Sequence, residues 1–108
     1  MDPACLLDPS RDCGVPGGPL LLAFADAVIG DDKAALDRAR DALAEGLGPA
    51  AVSGAASIAG NFSKNDRIAN GLGIPLDPMV LKATVELRDQ LGLNHFRSAV
   101  NTFRHGLE

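Results

Sequence analysis

The sequence predicts an all-α fold, with about five helices in a mostly antiparallel bundle. Two observations carry this prediction. Apolar residues recur at intervals of three and four in successive segments, which is the period of an amphipathic helix, and no segment shows the alternation of a half-buried strand. Gly, Pro and Asp residues stand between these segments, where they end one helix and begin the next.

The first two helices are delimited by such residues. Residues 19–29 predict a short buried helix that has Pro in its first turn and ends at Gly30. A strand is the competing interpretation of this apolar run, and its alanine content favours the helix. Asp31 or Asp32 is expected to cap a second, amphipathic helix that extends to about Glu45.

A longer third helix is predicted from Pro49 to Leu72, with one apolar row that turns inward. Asn65 interrupts this row. A buried amide without a partner costs about 1 to 3 kcal/mol, so we expect Asn65 to be hydrogen-bonded. The row consists of Ala51, Ala55, Ile58, Phe62, Asn65, Ala69 and Leu72.

The end of the third helix is the clearest local signal in the chain. Gly73 is suited to the left-handed conformation that closes a helix, and Asp77 precedes a proline that is suited to the next first turn. A fourth helix is then expected to end at Gly92. Asn94 is expected to cap a fifth helix, whose apolar stripe reaches Leu107.

Length and composition indicate one modest core. The 108 residues suit an irregular Pro/Gly-rich arm over 1–18 and a single helical domain over 19–108. Aromatic residues are limited to four Phe, so the core is built from small aliphatic side chains. Because apolar burial contributes roughly 25 cal/mol per Å², a second copy is an expected source of further stability, and we predict a homo-oligomer.

Charge and hydropathy argue against two classes of partner, nucleic acids and membranes. The net charge is −4 and the basic residues are scattered, which argues against nucleic acid. The longest apolar run stops at Asp26, well short of the roughly 20 residues that span a bilayer, so no membrane association is expected. The amino terminus has no basic region followed by an apolar one, and we expect a cytoplasmic protein.

The segment 58–78 resembles the carboxyl half of the alkylhydroperoxidase D-like, or carboxymuconolactone decarboxylase-like, superfamily. In that family a long helix commonly carries Phe-Asn-x-x-Asn-Arg-x-Ala, followed by Leu-Gly-(Val/Ile)-Pro. Ser63 and Asp66 replace the two expected Asn residues. The residues that fit the pattern are Phe62, Arg67, Ala69, Leu72, Gly73 and Pro75.

The resemblance implies an all-helical fold that assembles into dimers, trimers or larger rings. Redox members of the family act through Cys-x-x-Cys on a helix, with a nearby His and Glu. Here the only cysteines are Cys5 and Cys13, eight residues apart in the arm, so no catalytic residue of the family carries over. We therefore predict a non-catalytic oligomeric scaffold or binding module. A separate protein partner is a further possibility, and no cofactor is expected.

The alternative prediction is an enzyme. In that interpretation Cys5 and Cys13, or the cysteines of a partner chain, perform thiol-dependent peroxide reduction or another oxidoreductase reaction. Arg11 near Cys13 favours the thiolate. Two reduced cysteines in a loop are the simpler interpretation.

A polar group on the third helix is the candidate ligand site. Arg67 presents paired donors that suit a carboxylate. A structural role, in which a carboxylate of the same or a neighbouring helix satisfies Arg67, is the competing interpretation. The group consists of Asn61, Asn65, Asp66 and Arg67. His95 and His105 lack further ligands at metal spacing, so no metal site is predicted.

Overall fold

A computed structural model describes residues 1–104, which form six α-helices and three short 3-10 turns and contain no strand. The predicted all-α class is confirmed. The turns cover Pro3–Leu6, Leu93–His95 and Arg97–Ala99. The helices are α1 (Gly18–Ile29), α2 (Lys33–Leu47), α3 (Pro49–Leu72), α4 (Pro78–Ala83), α5 (Val85–Gln90) and α6 (Val100–Arg104). None of the helices within residues 1–104 has the length and apolar character needed to cross a membrane.

The chain divides into two compact units, Met1–Lys64 and Asn65–Glu108, and the division falls within α3. In the described part of the second unit no side chain is fully buried. The predicted division into an arm over 1–18 and one domain over 19–108 stays a prediction. The buried apolar side chains of the described chain, all in the first unit, are Cys5, Cys13, Phe24 and Leu43.

The ends of α1 and α2 agree with the sequence prediction to within two residues. Asp32 is the N-cap of α2, because its Oδ1 accepts from the backbone N–H groups of Ala34 at 2.9 Å and Ala35 at 3.0 Å. These bonds satisfy donors that the first turn of a helix cannot pair internally. A three-residue connection between α1 and α2 then reverses the chain.

α1 and α2 pack against each other as an antiparallel pair, and this is the main helix–helix contact of the first unit. The start of α1 meets the end of α2: the Leu20 side chain lies over Gly46, and the Leu47 side chain lies over the Gly17 backbone. Leu43 has no exposed surface at all. Glycine at position 46 therefore allows a leucine of the facing helix to approach closely.

α3 begins at Pro49 and ends at Leu72, as predicted. Gly73 closes it with a φ of +68°, and the Ile74 N–H donates to the Ala69 carbonyl at 2.9 Å. The prediction that its apolar row is buried is wrong: Phe62 is 62% and Leu72 is 74% exposed. The helical period at these positions is therefore present without burial of the side chains.

The predicted fourth helix is two helices, α4 and α5, which are separated at Thr84. The Thr84 hydroxyl donates to the Val80 carbonyl at 2.8 Å, and an Arg88 N–H donates to the Leu81 carbonyl at 2.7 Å. The Leu81 carbonyl would otherwise accept from Val85 in a continuous helix. Side-chain donors thus compete with the backbone N–H groups for the helical carbonyl acceptors at this point.

The predicted fifth helix is also wrong over most of its length. Two 3-10 turns precede the short α6, and Phe96 between them is extended, with φ −66° and ψ 144°. The Asn94 side chain does not cap a helix, because its Oδ1 accepts from Arg88 at 2.8 Å. The apolar position at Leu107 lies outside the described residues.

The amino-terminal arm is more regular than the sequence indicates. Pro3–Leu6 form a 3-10 turn, and the Asp2 side chain caps it by accepting from the Ala4 N–H at 2.9 Å. The prolines and glycines of the arm still exclude a longer helix, as predicted.

Candidate functional site

The arm brings Cys5 and Cys13 together in the interior of the first unit. Their exposed fractions are 2% and 3%, and both are free thiols. The Asp2 N–H donates to the Cys13 carbonyl at 3.2 Å, and Arg11 Nη2 forms an ion pair with Asp2 Oδ2 at 2.9 Å. These contacts hold Asp2 beside Cys13. Cys5 and Cys13 thereby become neighbours, although they lie eight residues apart in an irregular segment.

The surroundings of the Cys5 sulfur favour the protonated state. Burial raises the pKa of the Cys5 thiol, and the neighbouring Cys13 thiol raises the pKa further. The Asp2 carboxylate acts in the same direction. The thiolate is the nucleophile in cysteine chemistry, so Cys5 is a poor nucleophile near neutral pH. Arg11 does not activate it, because the Arg11 guanidinium is engaged by Asp2.

Gly18, the first residue of α1, makes room for the Cys13 sulfur. A Cβ at this position would overlap Cys13 Sγ. The Gly18 N–H also donates to the Val15 carbonyl at 2.9 Å, which ties the start of α1 to the loop. The cysteine loop is thereby held against the helix pair of the first unit.

All four side chains of the polar group predicted on α3 are exposed to solvent. Within residues 1–104, none of its side chains forms a hydrogen bond or ion pair, so neither predicted structural partner of Arg67 is present there. Asn61 lies in the first unit and the other three residues lie in the second, and a carboxylate site at Arg67 stays a prediction. The group is Asn61, Asn65, Asp66 and Arg67, all exposed.

Exposed apolar side chains occur on α3 in both units. In the first unit, Ile58 and Phe62 are each 62% exposed, and their spacing of four places them on the same side of the helix. We call this pair the α3 face. In the second unit, Ile68 and Leu72 are 52% and 74% exposed.

Small residues adjoin this face in the first unit. A Cβ added at Gly54 would meet no atom within 4 Å, so the glycine is not required by packing within the described chain. Ala50 and Ser57, on the same side of the helix, are likewise exposed. This side of α3 is open to close approach by another backbone.

A cavity of about 530 Å³ lies along the α1–α2 pair. Four of its nine lining residues are alanine, and the charged ones are Asp26, Asp31, Asp32 and Arg38. Asp32 already serves as the α2 cap. Nothing in the lining indicates a reaction.

A second cavity, of about 290 Å³, lies within the second unit and is bordered by Arg88. Arg88 donates to Thr84 Oγ1 at 3.1 Å, Asn94 Oδ1 at 2.8 Å and the Leu81 carbonyl at 2.7 Å. All three acceptors are neutral, and no carboxylate pairs with Arg88 within residues 1–104. Arg88 thus holds α4, α5 and the following turn together.

Metal ligands are not grouped in the described part of the chain, where no cluster of three or more His, Cys, Asp or Glu occurs. His95 lies exposed in a 3-10 turn. His105 lies outside the described residues.

Two residues that organise these sites are not indicated by the sequence patterns. Arg88 lies in the segment predicted as one continuous fourth helix, although its spacing of four from Thr84 is a signal for a side-chain pair. Gly18 lies in the arm predicted to be irregular. No local pattern reveals that it adjoins Cys13.

The chain has no match among protein-family models, curated proteins or solved structures.

Proposed function

We propose that this chain is an alkylhydroperoxidase D-like helical module without the family's redox motif, and that it works by assembling with a second copy through the α3 face. The observation that carries the proposal is the exposure of Ile58 and Phe62 on one side of α3 in the first unit. Monomeric proteins rarely leave a large contiguous apolar surface in water.

A second copy suits this face because a symmetric pair uses the same surface twice, so Ile58 and Phe62 of each chain can cover those of the other.

Sedimentation velocity over a concentration range of roughly 5 to 500 μM tests the proposal, since that range covers the micromolar dissociation constants of weak pairwise association. Wild type is expected to shift from monomer to dimer. Phe62→Glu is expected to remain monomeric, because a desolvated carboxylate in the interface is unfavourable. Ala56→Glu adds the same charge about 120° away on α3 and is the matched control.

The outcomes are distinct. If wild type stays monomeric at the highest concentration, self-assembly is wrong. If both glutamate variants dissociate the dimer equally, the α3 face is not the contact. Circular dichroism of both variants checks that helix content is preserved.

Thiol-dependent peroxide reduction is the second candidate function, and the adjacency of Cys5 and Cys13 favours it. Burial of both thiols and the raised pKa of Cys5 argue for slow chemistry. Peroxide consumption with a dithiol donor, compared between wild type and a Cys5→Ser variant, measures it. Continuous turnover that disappears in the variant would establish the enzyme.

A further inference from the structure

We infer that Cys5 and Cys13 are an oxidation site, at which a two-electron oxidant closes an intramolecular disulfide that cross-links the two ends of the segment 5–13 in the amino-terminal arm. The inference does not depend on assembly through α3. It also differs from peroxidase activity, because it requires one oxidation per chain and no turnover.

The geometry of the loop supports bridging within one chain. Asp2 links the two ends of the segment 5–13, because its N–H donates to the Cys13 carbonyl at 3.2 Å and its carbonyl accepts from the Cys5 N–H at 3.3 Å. The Arg11–Asp2 ion pair crosses the same loop. The Asp8 side chain turns the middle of the loop by accepting from the Ser10 N–H at 3.0 Å. The sulfurs are thus neighbours before any oxidation takes place.

Because both sulfurs are buried, oxidation is expected to link them to each other rather than to a second chain. Both sulfurs are nearly inaccessible, so a second protein chain cannot reach them without opening the loop. The loop is fastened by exposed polar contacts, and such segments open locally at low cost. A small oxidant therefore gains access during opening, and the partner thiol of the same chain is the nearest one available.

The reaction balances with hydrogen peroxide as oxidant. One cysteine thiolate attacks a peroxide oxygen and becomes a sulfenic acid, and hydroxide leaves and takes up a proton as water. The second thiol displaces the sulfenic oxygen, which leaves as a second water. Two thiols and one peroxide thus give one disulfide and two waters, with sulfur oxidised and peroxide oxygen reduced.

The physical consequence is a more stable first unit. Closing a loop of nine residues restricts the unfolded chain, and the loop-entropy relation predicts that the unfolded-to-folded ratio falls about 80-fold. For the 64 residues of the first unit such a change raises Tm by roughly 10 to 20 °C. Cys13 also contacts Gly18, so the bridged loop packs against the start of α1.

The test treats the full, reduced chain with a small excess of hydrogen peroxide and measures intact mass, migration on a non-reducing gel, and Tm. The expected result is a loss of two hydrogens, a single-chain band, and a higher Tm that returns to its original value with dithiothreitol. Cys13→Ser is expected to show neither the mass loss nor the Tm increase, and circular dichroism confirms its fold.

Three results would overturn the inference. A disulfide-linked dimer would show that the sulfurs bridge between chains. Persistent free thiols, or sulfinic acid without a bridge, would show that the pair does not close. An unchanged Tm after bridging would show that the disulfide does not stabilise the first unit.

Discussion

Replacement of Leu43 by alanine measures how much the α1–α2 pair depends on its best-buried side chain. Leu43 is 0% exposed, and only four apolar side chains of the described chain are buried to this degree or nearly so. The substitution removes three carbons from a site that the facing helix encloses. Leu→Ala changes at such sites cost about 3 kcal/mol or more, because a cavity remains where the side chain was.

That loss is large relative to the unit that contains it. At about 0.05 to 0.15 kcal/mol per residue, the 64 residues of the first unit have a total stability of roughly 3 to 10 kcal/mol. We therefore expect Leu43→Ala to lose a large share of the α1–α2 folding free energy and to lower Tm by more than about 10 °C.

Urea unfolding followed by far-ultraviolet circular dichroism is the assay, with the free energy of unfolding extrapolated to water. Ile29→Ala is the matched control, since Ile29 is 71% exposed at the end of α1. Its loss is expected to stay below about 1 kcal/mol. If the two variants lose the same free energy, Leu43 is not the centre of the core and the packing argument fails.

Three further changes test local features of the fold. Asp32→Ala removes the N-cap of α2 and is expected to cost about 1 kcal/mol in urea unfolding, whereas Asp31→Ala serves as control; equal losses would contradict the cap. Gly18→Ala places a Cβ against Cys13 Sγ, so we expect a lower Tm and faster labelling of the thiols by a maleimide; unchanged labelling would contradict the contact. The folded pKa of Cys5 is raised, so its contribution to stability is complete at neutral pH and is lost as pH rises beyond the ordinary thiol value of about 8.5. Unfolding of the reduced protein at neutral and alkaline pH measures this loss, and a Cys5→Ala variant that shows the same alkaline decline would assign it to another group.

The candidate site was only partly accessible from the sequence. Cys5 and Cys13 were identifiable as the only cysteines, and the α3 positions were identifiable by their period. The surroundings of these residues in the folded chain were not identifiable from the sequence. The approach of the two sulfurs depends on the turn at Pro3–Leu6 and on the Arg11–Asp2 pair, which belong to a segment without periodicity. Arg67 suggested a ligand site by its chemistry alone, and the structure supplies no enclosed surface around it.

The sequence by itself determined where helices begin and end when the signal is local. Pro49, Gly73 and Asp77 act through their own backbone conformation or a hydrogen bond to a residue close in the chain, so their effects can be read without a fold. Tertiary structure alone decided which apolar side chains are buried. Leu43 and Phe62 occupy equivalent places in amphipathic patterns, yet one is enclosed by a facing helix and the other is not. Burial depends on what distant segments supply, and helical periodicity carries no information about that neighbour.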